Sequence, residues 1–348
     1  MERKKALIIG ITGGSGGAIS AALLRRGWQV TALHRRPKEA KKHVAEADKI
    51  LWFEGDAMLP GDVKRAAAGV QVIVHAANPP KYRNWRQWAV PMLDNALAAA
   101  QATGARLVYP GSLYVYGPHG PSVVDEQTPF CPSTEKGHIR VEMEAAIARS
   151  CERGAKALIV RAGDFLGVGA PSSWFSSAVV KPGRPVTGLF YPGRLDIAHS
   201  WAYLPDLAET ITQLLEREAD LGAYEVFHLK GHVCAPASEM IDAVRRVVGR
   251  RDLPTRRFPW WAMHLMRPVS PMARGVLEMR YLWEKPLSMD NAKLVGFLGS
   301  EPHTPLDQAL RETLEGLGCL NAGKAPASTE PTDRRAHSSA QSAGPVIG

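Results

Sequence analysis

Cysteine is scarce and unpatterned in this chain of 348 residues. The four, Cys131, Cys151, Cys234 and Cys319, show neither a pairing scheme nor the close spacing of metal ligands. A disulfide scaffold is not expected, no metal is expected, and free thiols point to a reducing, cytoplasmic setting. Long apolar runs are lacking as well: the opening Ile8 and Ile9 lead straight into glycine, so neither a signal peptide nor a membrane partner is expected. The basic excess, a net charge of +9, is scattered in short pairs and forms no stripe. Such a distribution suits small anionic molecules and gives no reason to expect a nucleic-acid partner. Large apolar residues all but vanish after Gly318, and residues 321–348, rich in Ala, Ser, Pro, Gly and Thr, are expected to be disordered. Internal repeats are absent.

What the chain does have is 45% hydrophobic residues, enough for a large core. Its most informative stretch is the first, Lys5 to Arg36. Ala6 to Ile9 form a short unbroken apolar run, as a strand buried on both faces requires. Glycines follow at Gly10, Gly13 and Gly16, with extra ones at Gly14 and Gly17, and Thr12 and Ser15 stand between them. Ala18 to Arg26 have helical spacing, Gly27 ends the helix, and Val30 to Leu33 read as a second strand. Strand, glycine turn, helix and strand together make a diphosphate cradle. Glycine is needed where a β-carbon would block the turn or the approach of main-chain N–H groups to phosphate, and the helix adds the positive end of its dipole. Gly10, Thr12, Gly13, Ser15 and Gly16 are the expected cradle residues. A plain glycine-rich surface loop is the alternative.

With its G-x-x-G-x-x-G spacing, this stretch resembles the extended short-chain dehydrogenase/reductase family, the NAD(P)-dependent epimerase/dehydratase group. The resemblance implies an α/β fold with a doubly wound, Rossmann-like parallel sheet, a nicotinamide cofactor and a smaller C-terminal substrate-binding part. It divides the chain into residues 1–168 (dinucleotide-binding), 169–320 (substrate-binding, interleaved with the last sheet strands) and a tail, 321–348. The end of the second strand bears on which cofactor binds. An acid there would accept hydrogen bonds from the ribose of NAD, but the residues are His34, Arg35 and Arg36. Guanidinium groups pair with a 2′-phosphate, which a carboxylate would repel, so NADP(H) is expected over NAD. Alternatively, Arg35 and Arg36 are solvated residues at the start of a loop.

Further along, Lys49 to Glu54 read as a third strand followed by Asp56. The resemblance places such an aspartate against the adenine, while an ordinary helix cap over Val63 to Ala68 is equally open. Val70 to His75 form a buried strand leading into Ala76 and Ala77, small residues past which the cofactor's backbone could run. The stretch Pro79 to Trp88 carries three aromatics and three cations, as a substrate-pocket wall or a lid would. A helix over Val90 to Ala102 and a strand over Arg106 to Tyr109 lead to Gly111-Ser112-Leu113-Tyr114-Val115-Tyr116-Gly117. In the resembled family a Ser or Thr four residues before the tyrosine of such a V-Y-G end hydrogen-bonds the reacting oxygen. Ser112 occupies that position, unless it is simply a turn residue.

The family's catalytic Tyr-x-x-x-Lys is not visible. Aligning Ser133 to Ile147 puts Lys136 at the tyrosine position and Arg140 at the lysine position, four apart and so on one helical face. The asparagine expected in the preceding helix falls near Ala89. Arg140 could hold ribose hydroxyls but cannot give up a proton. Lys136, beside like charge, could protonate an alkoxide, neutralise an oxyanion, or belong to a basic face without chemistry. Tyr114 and Tyr116 are open as substitute acids.

Later, Lys156 to Val160 read as a buried strand, and Arg161 is expected to tie loops together and not to touch substrate. Asp206 and Ser238 are expected to cap helices. Trp260 to Met266 read as a pocket wall or a subdomain core, core being favoured. Trp85, Trp88, Trp174 and Trp201 argue mildly for an apolar or planar substrate. The resulting expectation is an NADP(H)-dependent oxidoreductase acting on a carbonyl or hydroxyl of a small molecule, with a homodimer left open. Nucleotide-sugar epimerase or dehydratase chemistry, or a catalytically silent NADP(H) sensor, are the alternatives.

Overall fold

The computed structural model describes residues 3–79, 84–170 and 173–320. The tail at 321–348 and residues 80–83 of the aromatic and cationic segment Pro79 to Trp88 lie outside the described residues. The first half runs β1 (Lys5–Ile9), α1 (Gly14–Arg25), β2 (Gln29–His34), α2 (Pro37–Ala40), β3 (Leu51–Glu54), α3 (Pro60–Ala66), β4 (Val72–His75), α4 (Trp85–Thr103), β5 (Arg106–Ser112), β6 (Val123–Val124), α5 (Glu135–Glu152) and β7 (Lys156–Ala162). The second half runs β8 (Asp164–Leu166), β9 (Leu189–Tyr191), β10 (His199–Tyr203), α6 (Leu204–Glu216), β11 (Tyr224–His228), β12 (His232–Cys234), α7 (Ser238–Val248), β13 (Thr255–Arg257), α8 (Trp260–Met266), α9 (Pro271–Glu278), β14 (Ser288–Met289), α10 (Ala292–Leu298) and α11 (Leu306–Gly316).

Seven strands form one parallel sheet in the order β11-β7-β5-β4-β1-β2-β3. From β1 the chain first builds outward through β2 and β3, then returns to build the other way from β4. The reversal leaves a crevice between the carboxyl ends of β1 and β4, where open α/β sheets bind ligands. In β1 the period-two alternation divides the core: Ala6 and Ile8 face one apolar layer with α1 and α6, and Leu7 and Ile9 face the other, with α3, α4 and α5. A third apolar cluster, centred on Trp174, Trp201 and Trp283, joins the C-terminal elements to Leu113, Val115 and Tyr116.

Several local expectations give way. Helix α1 begins at Gly14, four residues ahead of Ala18, because its glycines can enter the helix while pressed against the preceding turn. Helix α4 begins at Trp85 and carries Pro91 within it, losing one main-chain hydrogen bond. Asp206 does not cap α6: it lies inside the first turn, and its carboxylate accepts from the Thr304 N–H (2.9 Å) and hydroxyl (2.7 Å). Ser238 is the first residue of α7, which has no side-chain cap.

The largest departure is α8. None of its residues is buried, and Trp261 and Leu265 are 72% and 74% exposed. Only one side of so short a helix can face the protein. Trp260 takes that side, packing on Trp174 and Phe258, which turns the rest of the apolar run outward.

Candidate functional site

The crevice is shaped by glycine. Gly10 ends β1 with φ +95°, and a β-carbon there would lie 2.5 Å from the Ala77 main-chain nitrogen and 2.7 Å from the Ala76 carbonyl carbon. A β-carbon on Gly16 would lie 2.3 Å from the Gly10 carbonyl oxygen. The ends of β1 and β4 and the start of α1 therefore share one point that only glycine permits. The Gly13 N–H closes the turn on the Gly10 carbonyl at 3.0 Å. Thr12 and Gly13 stand exposed at the mouth, with Ser15 partly exposed behind them. Helix α1 has no side-chain cap and no acid in its first turn, so its leading N–H groups face the crevice without a competing carboxylate. This arrangement fits a dinucleotide diphosphate.

At the end of β2, Arg35 and Arg36 are both exposed. Arg36 forms a loose surface pair with Glu39 at 3.4 Å, and no hydrogen bond of the Arg35 side chain occurs among the described residues. Asp56 follows β3, beside β2. It does not cap α3, whose cap position is Leu59. Its carboxylate instead accepts from the Met58 N–H at 2.9 Å, and its own N–H donates to Asp62 at 2.8 Å.

On the other side of the crevice, Ser112 ends β5 with its hydroxyl buried and without a hydrogen-bond partner among the described residues. Helix α5 starts against the turn that follows it: a β-carbon on Gly137 would lie 2.5 Å from the Tyr114 carbonyl oxygen. Thr134 caps α5 by accepting from the Gly137 N–H. Lys136 and Arg140 point from one face of this helix, and both are nearly buried. Arg140 donates to Asn78 Oδ1 at 2.8 Å and to the Tyr109 hydroxyl, with its guanidinium 4.9 Å from the Trp85 ring centre. It thus sits at the carboxyl end of β4, beside Ala76 and Ala77. Burial pushes the Tyr109 hydroxyl up, against the opposing pull of Arg140.

Lys136 meets a different environment from the one expected. Its Nζ donates to Glu278 Oε2 at 2.8 Å and to the Gly275 carbonyl at 3.2 Å, both on α9. The like charge of Arg140 is therefore answered by a carboxylate from the C-terminal part of the chain. Of the substitute acids, Tyr116 is already used: its hydroxyl accepts from Arg161 at 2.8 Å and lies 3.3 Å from His228 Nε2, and burial pushes it up to about 12. Arg161 is a buried strut, paired with Glu144 at 2.7 Å. Trp174 and Trp201 pack around Trp283, and Trp85 lies against Arg140, so three of the four tryptophans read as substrate-facing serve packing.

Sequence reasoning missed Asn78, Tyr109 and Glu278 as partners of the two cations, and His75. That histidine ends β4 fully buried, with neither ring nitrogen hydrogen-bonded among the described residues. Burial, reinforced by Arg140, pushes it down to about 3.

A family model described as the NAD dependent epimerase/dehydratase family matches residues 6–229. No match appears among curated protein sequences. Among solved structures, the Bordetella bronchiseptica enzyme WbmH in complex with NAD+ is 18% identical with a TM-score of 0.67, over 90% of this chain and 98% of that one. UDP-glucuronic acid 4-epimerase from Bacillus cereus, in complex with UDP-glucuronic acid and NAD, is 13% identical with a TM-score of 0.71 over the same shares of 90% and 98%. UDP-glucose 4-epimerase from Thermotoga maritima, with UDP-glucose, is 14% identical with a TM-score of 0.69, again over 90% and 98%. At these identities the likeness shows the shared fold.

Proposed function

Because this chain belongs to the NAD dependent epimerase/dehydratase family, we propose that it is an NADP(H)-dependent oxidoreductase acting at a hydroxyl- or carbonyl-bearing carbon of a small molecule. The observation that carries this reading is the shared point of Gly10, Gly16 and Ala77, which leaves main-chain N–H groups facing the crevice. When bound there, a nicotinamide dinucleotide supplies hydride acceptance or donation.

The chain's own residues divide the remaining work. Gly10, Thr12, Gly13, Ser15 and Gly16 hold the diphosphate, and Ala76 and Ala77 keep the wall low enough for close approach. Asp56 stands beside the adenosine end. Arg35 and Arg36 favour a 2′-phosphate over a free ribose hydroxyl, since guanidinium groups bind phosphate in charge-assisted, bidentate fashion. Ser112 donates to the reacting oxygen, which accounts for a buried hydroxyl without a partner among the described residues. Arg140, fixed by Asn78 and Tyr109, brings positive charge to the end of β4 and holds ribose hydroxyls. Lys136 supplies charge or a proton to the reacting oxygen, with Glu278 positioning its amine. Residues 1–168 carry the dinucleotide and residues 169–320 the substrate.

A second reading is nucleotide-sugar epimerisation or dehydration with NAD, favoured by the UDP-sugar and NAD complexes of the solved relatives. Calorimetry of the full chain with NADPH and NADH separates the two cofactors. The proposal expects NADPH to bind at least about tenfold tighter, and Arg35→Asp to remove that preference. Equal affinities would overturn the NADP(H) assignment. NADPH absorbance against a carbonyl panel then tests turnover, and Lys136→Ala should slow it by a factor on the order of 100.

A further inference from the structure

A second constellation lies away from Ser112 and Lys136, at the corner where β10 turns into α6. Asp206, in the first turn of α6, His232, which opens β12, and His303, in the connection before α11, each offer one ligand atom, and these atoms all lie within 4.8 Å of one another. We propose that this corner binds a divalent transition-metal ion, Zn2+ being the occupant that best suits it, as a clip joining three separate chain segments.

The His232 imidazole has one nitrogen that nothing else among the described residues satisfies. His232 is only 6% exposed, and its Nε2 is buried without a hydrogen-bond partner among the described residues. A buried ring nitrogen left unpaired is costly, and a bound cation removes that cost. The His232 and His303 rings approach to 4.4 Å between centres, tilted 52° and not stacked, as rings converging on a common point are. The Asp206 carboxylate is turned to its place by Thr304, which donates to Oδ1 through its hydroxyl and to Oδ2 through its N–H. Each carboxylate oxygen keeps a lone pair, and hydrogen-bonded support of this kind orients metal-ligating carboxylates.

Two imidazoles and one carboxylate form a borderline donor set. It suits Zn2+, Co2+, Ni2+ or Cu2+ and is poorly matched to Mg2+ or Ca2+, which prefer oxygen alone. Three protein ligands leave a fourth position for water, and His303, being exposed, marks the side from which an ion and that water reach the corner. The three ligands come from positions too far apart in sequence for any spacing motif to reveal them. The corner adjoins the dinucleotide cradle, since a β-carbon on Gly14 would lie 2.8 Å from the side chain of Leu204, two residues before Asp206. An ion here would stiffen the start of α6 behind that cradle.

The test uses the full chain, treated with chelator and dialysed, titrated with ZnCl2 by calorimetry, with MgCl2 as the hard-ion control. One Zn2+ per chain is expected, together with a rise in thermal unfolding temperature, and no binding of Mg2+ at the same concentrations. His303→Ala removes an exposed ligand and leaves the core intact; it should weaken Zn2+ at least about tenfold. His232→Gln should do the same if it folds. CoCl2 should give the strong visible absorption of a four-coordinate ion, lost in His303→Ala. Absence of a stoichiometric site, or equal Zn2+ affinity in the wild type and His303→Ala, would overturn the proposal.

Discussion

A β-carbon on Gly16 would lie 2.3 Å from the carbonyl oxygen of Gly10, so α1 and β1 meet backbone to backbone. Gly16→Ala must therefore push the first turn of α1 away from the crevice. We expect dinucleotide affinity to fall at least about tenfold, about 1.4 kcal/mol, in calorimetry. Gly61→Ala is the contrast: its β-carbon would meet nothing closer than the far end of Arg65, at 3.4 Å, and cofactor affinity should be unchanged. Equal binding by Gly16→Ala and wild type would mean that the cradle is not where the diphosphate sits.

Arg140 connects the same crevice to α5. Its guanidinium satisfies Asn78 and Tyr109 at once, and Arg140→Met would leave both without it while filling much the same volume. Stripping the partner from a buried polar group, here the Tyr109 hydroxyl, costs about 1–3 kcal/mol, which should appear as a lower urea midpoint, whereas the exposed Asn78 can turn to water. Dinucleotide affinity should fall in the same variant. Unchanged affinity with lowered stability would make Arg140 a purely structural tie.

The cradle was legible because its physics is local. Gly10, Gly13 and Gly16 lie within one turn, and the strands on either side are short apolar runs. The partners of the two cations were not legible, because nothing local specifies them. Arg140 reaches Asn78 across 62 residues, and Lys136 reaches Glu278 across 142. The helix face that carries Lys136 and Arg140 could be read from their spacing, but not the carboxylate that α9 lays over Lys136. Asp206 reads as a cap because an aspartate near a helix start commonly is one, but tertiary contact with Thr304 takes its carboxylate instead. Asp56 reads equally as an adenine contact or a cap, and the local turn at Met58 removes only the cap.

The tryptophans give the sharpest case of composition misleading. Trp261 and Trp283 are the same residue type in neighbouring helical segments, yet Trp261 stands out in solvent while Trp283 is packed between Trp174, Trp201, Tyr191 and His199. Trp261→Ser with Leu265→Ser should leave the unfolding free energy within about 0.5 kcal/mol of the wild type. Trp283→Ala should cost about 3–5 kcal/mol, since it opens a cavity among aromatic rings. A comparable loss from the two surface changes would show that α8 is packed against something after all.

Acid sensitivity follows from the buried histidines. Burial first, and then a neighbouring guanidinium, pushes His75 down to about 3 and His228 to about 4, with Arg140 and Arg161 as the respective neighbours. In the unfolded chain an imidazole takes up its proton near pH 6.5. Between about pH 6.5 and pH 4 the unfolded state therefore binds protons that the folded state refuses, and stability must rise with pH across that window. It is fully present above about pH 6.5 and is lost as the solution is acidified, with each histidine contributing a slope of up to about 1.4 kcal/mol per pH unit. Urea unfolding at intervals from pH 7 to pH 4 measures this directly. His228→Gln removes one of the groups, so its profile should be flatter than that of the wild type, even if its stability at pH 7 is lower through loss of the contacts to Arg161 and Tyr116. Parallel profiles for the two proteins would mean that His228 is protonated in the fold, and the buried Arg161 pair would then need a compensating anion beyond Glu144.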